Sequence, residues 1–171
     1  MRFKPNMYKR DIFDINYSLL KKLGKKCLIF DLDNTLALID DKSCPDKVKK
    51  LILKLKKDFK VFVVSNNTYK RIKPYLTELG IEGFSNAFKP SYMKLKKISN
   101  RYKFKKNEMV MIGDQIVTDI QAGNRFGILT ILVDPLGKKD LKITGLNRFL
   151  ENKVIKYYSK DKIFERGNYY E

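Results

Sequence analysis

Asp31 and Asp33 stand two residues apart in Phe30-Asp31-Leu32-Asp33-Asn34-Thr35, directly after the apolar run Cys27-Leu28-Ile29-Phe30. A carboxylate is a competent nucleophile toward phosphorus once a divalent cation screens its repulsion from the phosphate. A second carboxylate in a different environment can protonate the leaving oxygen and later take a proton from water. Asp31 suits the first role, since it ends a strand whose backbone fixes its direction. Asp33 suits the second, and Thr35 can hydrogen-bond locally to hold the turn. In Val64-Ser65-Asn66-Asn67, Ser65 and the amide of Asn66 offer neutral donors for phosphate oxygens. Lys89, before Pro90, supplies a cation for the transferring phosphoryl group. Asp114 adds a third carboxylate, and Gly113 before it is expected to leave room for a metal. Mg²⁺ takes octahedral oxygen ligands and keeps several waters, so two carboxylates and one carbonyl suffice. Asp119 lies about one helical turn further on and can orient Lys89 or a metal-bound water.

The elements that must position these groups alternate in type. Cys27 to Asp31, Lys60 to Ser65 and Met109 to Ile112 are short apolar runs that fit buried parallel strands. Ile128 to Val133 is the last clear strand, and Phe84 to Phe88 is a weaker one. Between them, Pro45 opens a helix carrying Val48, Leu51, Ile52 and Leu55 on one face. Thr68 is placed to cap a helix with Tyr69, Ile72, Leu76 and Leu79, which Gly80 stops. Ser91 to Tyr102 and Thr118 to Phe126 read as further helices. Strands joined by single helices predict an α/β fold, a doubly wound, Rossmann-like parallel sheet covered on both faces. In such sheets ligands bind outside the carboxyl ends of the strands. The spacing therefore brings Asp31 and Asp33, Ser65 and Asn66, Lys89, and Gly113-Asp114 to one edge.

Composition limits the alternatives. The 171 residues contain no histidine and no tryptophan, which excludes Ser-His-Asp and Cys-His catalysis, histidine zinc sites and phosphohistidine chemistry. Cys27 and Cys44 fit no metal pattern or disulfide framework and read as a buried thiol and a loop thiol in a reducing cytosol. No apolar run approaches the ~20 residues that span a bilayer, and the opening Met1-Arg2-Phe3-Lys4-Pro5 does not read as a secretory signal. The expected location is cytoplasmic, with peripheral attachment to the inner face of the membrane open.

With 37 basic and 19 acidic residues the formal net charge is +18. That field attracts phosphorylated substrates, anionic lipid or nucleic acid, unless the lysines merely solvate helices. One domain is expected over 1–171, with a core at about 25–135 and amphipathic basic flanks at 1–24 and 136–171. Tyr8, Ile12, Ile15 and Leu19 share one helical spacing, as do Leu146, Leu150, Val154 and Tyr157. These flanks either pack on the domain or rest on an anionic membrane surface.

The ordered set resembles the phosphatases of the haloacid dehalogenase superfamily. Its DxDxT pattern is Asp31 to Thr35, its Ser/Thr motif is Ser65, its lysine is Lys89, and its acidic motif runs from Gly113-Asp114 to Thr118-Asp119. Val64-Ser65-Asn66-Asn67, Lys89-Pro90, Gly113-Asp114-Gln115 and Gly123-Asn124-Arg125 extend the resemblance to the YqeG-like branch of the capless class III group, over about residues 8–155. That branch is related to phosphatases acting on phosphatidylglycerophosphate, which implies a lipid head-group substrate. The resemblance also implies Mg²⁺ as cofactor, with Asp31, Asp114 and the main-chain oxygen of Asp33 as its ligands. It implies Asp31 as nucleophile, Asp33 as acid/base, and Ser65 and Lys89 as phosphate contacts.

Independently, Asp33 to Lys60 and Asn67 to Lys89 each hold little more than one helix. Neither stretch can house a cap domain, so the site should be open. A soluble phosphatase of nucleotides or sugar phosphates shares the mechanism. A ribosome- or nucleic-acid-associated protein fits the charge, but no RNA-binding motif supports it. A receiver domain is excluded by order, because its lysine would lie on the last strand.

Overall fold

In the computed structural model, residues 3–137, 153 and 167–171 are described. Runs such as Val61-Phe62-Val63-Val64 and Met109-Val110-Met111-Ile112 have no polar face, and a strand of that kind is stable only when covered on both sides. They form the centre of a six-stranded, wholly parallel sheet. The strands are β1 (Met7–Lys9), β2 (Cys27–Phe30), β3 (Lys60–Val64), β4 (Glu82–Phe84), β5 (Met109–Gly113) and β6 (Leu129–Val133), in the order β1-β6-β5-β2-β3-β4. The helices are α1 (Tyr17–Lys22), α2 (Asp46–Leu55), α3 (Tyr69–Leu79), α4 (Met93–Tyr102) and α5 (Gln121–Phe126).

Alternation along the strands divides the core in two. Leu28, Phe30, Val61, Val63, Val110 and Ile112 pack with α2 and α3 through Val48, Ile52, Leu55, Ile72 and Leu79. Cys27, Ile29, Phe62, Val64, Met109 and Met111 pack on the other face with Leu95 and Ile98 of α4 and with Ala122 and Phe126 of α5. This is the doubly wound arrangement that the sequence predicts. Gly80 ends α3 at φ 58°, a left-handed conformation that suits glycine. No cap domain interrupts the chain from β2 to β4: α2 and α3 with their loops are the only insertions there. Among the described residues, no helix is long and apolar enough to cross a membrane.

Three expectations change. The fourth strand is Glu82–Phe84, earlier than Phe84 to Phe88, because Asn86 and Phe88 take φ of 45° and 51° and cannot continue a strand. The helix expected from Thr118 begins instead with a π-helical turn, Ile116–Ile120, that leads into α5. The N-terminal flank is not one amphipathic helix. Tyr8 lies on β1, paired with Leu132, and Tyr8, Ile12 and Ile15 are buried. Asn6 fixes that strand, since its Oδ1 accepts from the Thr130 amide at 2.9 Å and its own amide donates to the Thr130 carbonyl at 3.0 Å. Those three side chains are core and are not available to lipid, whereas Phe13 and Leu23 of the same flank are exposed. Leu146, Leu150, Val154 and Tyr157 lie outside the described residues.

Cys27 and Cys44 are both free and both buried, so Cys44 is a shielded loop thiol. Burial pushes the Cys27 thiol up to about 12 and that of Cys44 up to about 11, far from the reactive thiolate range.

Candidate active site

Strand register fixes the position of Asp31. Phe30 is aligned with Val63 and Ile112, and the Asp31 amide donates to the Ile112 carbonyl at 2.9 Å. The Asp31 side chain thus emerges just past the carboxyl edge, between β3 and β5. Lys89 reaches the same point from the loop after β4. Its Nζ lies 2.6 Å from Asp31 Oδ1, 2.6 Å from Asp119 Oδ1 and 2.9 Å from the Val64 carbonyl. All three side chains are buried.

Burial pushes the Asp31 carboxyl up to about 7, against the pull of Lys89 and with the repulsion of Asp119 adding to the rise. Burial opposes the charge of Lys89, but Asp119 and Asp31 outweigh it and its pKa is raised above the ordinary lysine value.

Oxygens of Asp31, Asp114 and Asp119 lie within 4.8 Å of one another. Thr35 Oγ1 donates to Asp114 Oδ1 at 3.3 Å. An all-oxygen cluster of buried carboxylates suits a hard divalent cation such as Mg²⁺. Asp119 is held by Lys89 and by the Gln115 amide at 3.1 Å. Gly113 makes room for Asp119: a Cβ there would collide with its carboxylate.

The second acid is held differently. Asp33 Oδ1 accepts from Arg71 Nη2 at 2.8 Å and Nε at 3.2 Å, and its Oδ2 accepts from Asn67 Nδ2 at 3.0 Å. Arg71 also donates to the carbonyls of Leu38 and Asp41 and to the Tyr75 hydroxyl, which ties the loop after β2 to α3. Reading for chemistry-bearing motifs misses Arg71 and Asn67. The available signal is that both lie within or just before the first turn of a helix that starts at the catalytic edge.

Ser65 is buried, and its Oγ accepts from the Asn67 amide at 3.1 Å, which leaves the hydroxyl proton to donate elsewhere. Asn66 does not aim its side chain at a phosphate position. Its Oδ1 accepts from the Lys89 amide at 2.7 Å and its Nδ2 donates to the Lys89 carbonyl at 3.2 Å. It is a clamp on the Lys89 backbone, which follows from two strand-end loops meeting at one edge. A cavity of about 910 Å³ lies at the opposite edge, lined in part by Lys25, Lys106 and Asn107, and holds none of these groups.

Comparison with known proteins agrees with this arrangement. Residues 28–90 match the family model described as haloacid dehalogenase-like hydrolase, and residues 87–142 match the related HAD-hydrolase-like model. The chain is 36% identical over 154 residues to the probable phosphatase YqeG of Bacillus subtilis, covering 90% of each. It is 27% identical to phosphatidylglycerophosphate phosphatase 1 of Arabidopsis thaliana, across 80% of this chain and 42% of that protein. In fold it is similar to an uncharacterized protein of Listeria monocytogenes, with TM-score 0.55, 23% identity and coverage of 68% and 84%. The Mg-complexed phosphatase domain of a Bacteroides fragilis protein superposes with TM-score 0.53 at 18% identity, covering 70% of this chain and 39% of that one. With paired acids, a bridging lysine and near full-length similarity to a phosphatase, the chain belongs to the haloacid dehalogenase-like hydrolases and is a phosphatase of that family.

Proposed function

We propose that this phosphatase is a Mg²⁺-dependent phosphomonoesterase that works through an aspartyl-phosphate on Asp31, and that its substrate is a lipid phosphate such as phosphatidylglycerophosphate. The observation that carries the chemistry is the Lys89 ammonium, 2.6 Å from both Asp31 and Asp119 at the carboxyl edge of the sheet.

Asp31 attacks phosphorus: one of its carboxylate oxygens bonds to the phosphoryl group while the ester P–O bond breaks. Asp33 gives its proton to the departing alcohol oxygen. Water then attacks the acyl phosphate, Asp33 takes the proton released, and inorganic phosphate leaves with Asp31 regenerated. Lys89 screens the phosphoryl charge, and the Ser65 hydroxyl donates to one of its oxygens. Asn66 and Asp119 hold Lys89, from its backbone and its ammonium respectively. Asp31, Asp114 and the main-chain oxygen of Asp33 would hold Mg²⁺, which supplies the positive charge that lets an anionic nucleophile approach an anionic ester.

Three features support a lipid phosphate. A relative named for phosphatidylglycerophosphate is similar over most of this chain. Among the described residues no cap is inserted between β2 and β6, which suits a bulky, surface-borne ester at Asp31. The net charge of +18 favours an anionic surface. On this reading the enzyme works in the cytoplasm, peripherally at the inner face of the membrane.

The test is phosphate release from phosphatidylglycerophosphate in mixed micelles, set beside nucleoside monophosphates and sugar phosphates, with Mg²⁺ or with a chelator. The expected result is metal-dependent turnover with the lipid preferred. Turnover that survives chelation overturns the metal assignment, and a nucleotide or sugar preference overturns the lipid one.

A further inference from the structure

Nine large hydrophobic side chains of the described residues are exposed. Single exposed hydrophobics are ordinary. Their distribution here is not even. Phe13, Leu38, Tyr69, Phe88, Met93 and Leu136, between 42% and 76% exposed, all lie in segments that follow the carboxyl end of a strand. Phe13 follows β1, Leu38 follows β2, Tyr69 opens α3 after β3, Phe88 and Met93 follow β4, and Leu136 follows β6. That edge holds Asp31, Asp33, Lys89 and Asp114. The other three are scattered: Leu23 lies beyond α1 at the opposite edge, Leu53 on α2, and Tyr169 near the chain end.

Two of the six are bound into the catalytic loops. The Leu38 carbonyl accepts from Arg71 at 3.0 Å, and the Leu136 amide donates to the Asn34 carbonyl at 2.9 Å. Phe88 carries a second, independent signal. It is 76% exposed at φ 51°, directly before Lys89. A bulky residue in the left-handed region is a backbone outlier of the kind that gathers at functional sites. The fold bears that strain to hold an aromatic ring in solvent beside its own active site.

We propose that this rim is a membrane-docking surface, on which the open catalytic edge rests against an anionic phospholipid bilayer. The inference deepens the lipid-phosphate reading and rests on it, since it takes the substrate to be membrane-borne. Charge selects the occupant. Exposed Lys42 lies four residues after Leu38 and exposed Lys70 next to Tyr69; Asp14 and Asp40 are exposed on the same segments, but the chain as a whole carries +18. Apolar side chains inserting at the acyl boundary, with lysines at the head groups, are the combination that binds an anionic interface. A bilayer meets all six segments at once because they belong to one edge of one sheet. Of the two flanks that could have rested on lipid, the N-terminal one packs Tyr8, Ile12 and Ile15 into the core and offers Phe13 to the rim.

The experiment is sedimentation of the full chain with phosphatidylcholine vesicles, with and without phosphatidylglycerol. Wild type is compared with a Leu38→Ser, Phe88→Asn double variant and with Leu53→Ser. Asparagine tolerates the left-handed backbone at 88, and both changed side chains are exposed, so the thermal midpoint should be no lower than that of wild type. The expected result is binding only where phosphatidylglycerol is present, weakened by salt, about tenfold weaker in the double variant and unchanged in Leu53→Ser. No binding by wild type, or equal binding by the double variant, overturns the proposal. Binding that RNA competes away equally from both proteins assigns the charge to nucleic acid and overturns it too. Sedimentation needs no turnover. Docking through the rim without hydrolysis of phosphatidylglycerophosphate defeats the substrate reading alone. Hydrolysis with unchanged docking by the double variant defeats this inference alone.

Discussion

Asp31 and Asp33 are two residues apart, yet the molecule holds them by different means. Asp31 is buried, its amide is in the strand ladder, and its carboxylate meets an ammonium anchored by Asp119 and the Val64 carbonyl. Asp33 is partly exposed, and side chains from α3 and the turn before it grip its carboxylate. The proposed nucleophile sits on backbone and the proposed acid/base group on side chains. A group that attacks in line must be fixed, whereas a group that passes a proton both ways has to adjust between two partners. That division predicts unequal responses to mutation.

The largest effect is expected at Asp31. Asp31→Asn removes the proposed nucleophile while leaving Lys89 paired with Asp119, so the fold should persist. Mg²⁺-dependent release of phosphate from a generic aryl phosphate should fall by on the order of 10⁴-fold or more. Substantial residual turnover in a folded variant would sink Asp31 as nucleophile.

Lys89→Met comes next and touches both stability and rate. Removing one partner of a buried ion pair typically costs about 3–5 kcal/mol, read here by urea unfolding. Loss of a fixed charge on the phosphoryl group should lower kcat/KM about 10²- to 10³-fold. A variant as stable as wild type would show that Asp31 and Asp119 tolerate each other without the ammonium.

The metal site gives a smaller effect, measurable without any substrate. At a hundredfold excess over its dissociation constant a ligand contributes about 2.7 kcal/mol, roughly 5 °C or more in the unfolding midpoint of a chain this size. Mg²⁺ should raise the wild-type midpoint by about that amount and that of Asp114→Asn by much less. Equal rises in the two proteins would remove Asp114 from the ligand set.

The same contrast explains what the sequence made legible. Asp31, Lys89 and Asp114 could be brought together before any coordinates, because strand periodicity and the parallel-sheet rule send strand ends to one edge. The partners of Asp33 could not. Arg71 reads as one more basic residue on a lysine-rich helix, and only the packing of α3 turns its guanidinium toward Asp33 and the loop carbonyls. Asn66 was placed on the correct loop, but its side-chain clamp on the Lys89 backbone was not foreseen, since periodicity gives a position and not the direction of a side chain. Gly113 shows the same limit: its missing Cβ makes room for a side chain six residues later, which periodicity does not reveal. The N-terminal flank shows the opposite failure. Helical spacing at Tyr8, Ile12 and Ile15 was real hydrophobicity, but pairing with β6 overrode the helical period.

Arg71 tests the comparison at its weaker side. Arg71→Met leaves Asp33 held by Asn67 alone and unties the Leu38 and Asp41 carbonyls from α3. Loss of hydrogen bonds to a charged partner suggests a cost of about 1–3 kcal/mol in stability. On an aryl phosphate kcat should fall by roughly tenfold with KM little changed, as expected when a transition-state contribution is misplaced and ground-state binding is not. Arg71→Lys should restore only part of kcat, because a point charge cannot reproduce the fork on Asp33 Oδ1. Asn67→Ala, which removes a single bond to Oδ2, should do less than either. If Arg71→Met keeps full kcat, Asp33 needs no side-chain scaffold. The two acids would then differ in burial but not in the way the fold commits them to their work.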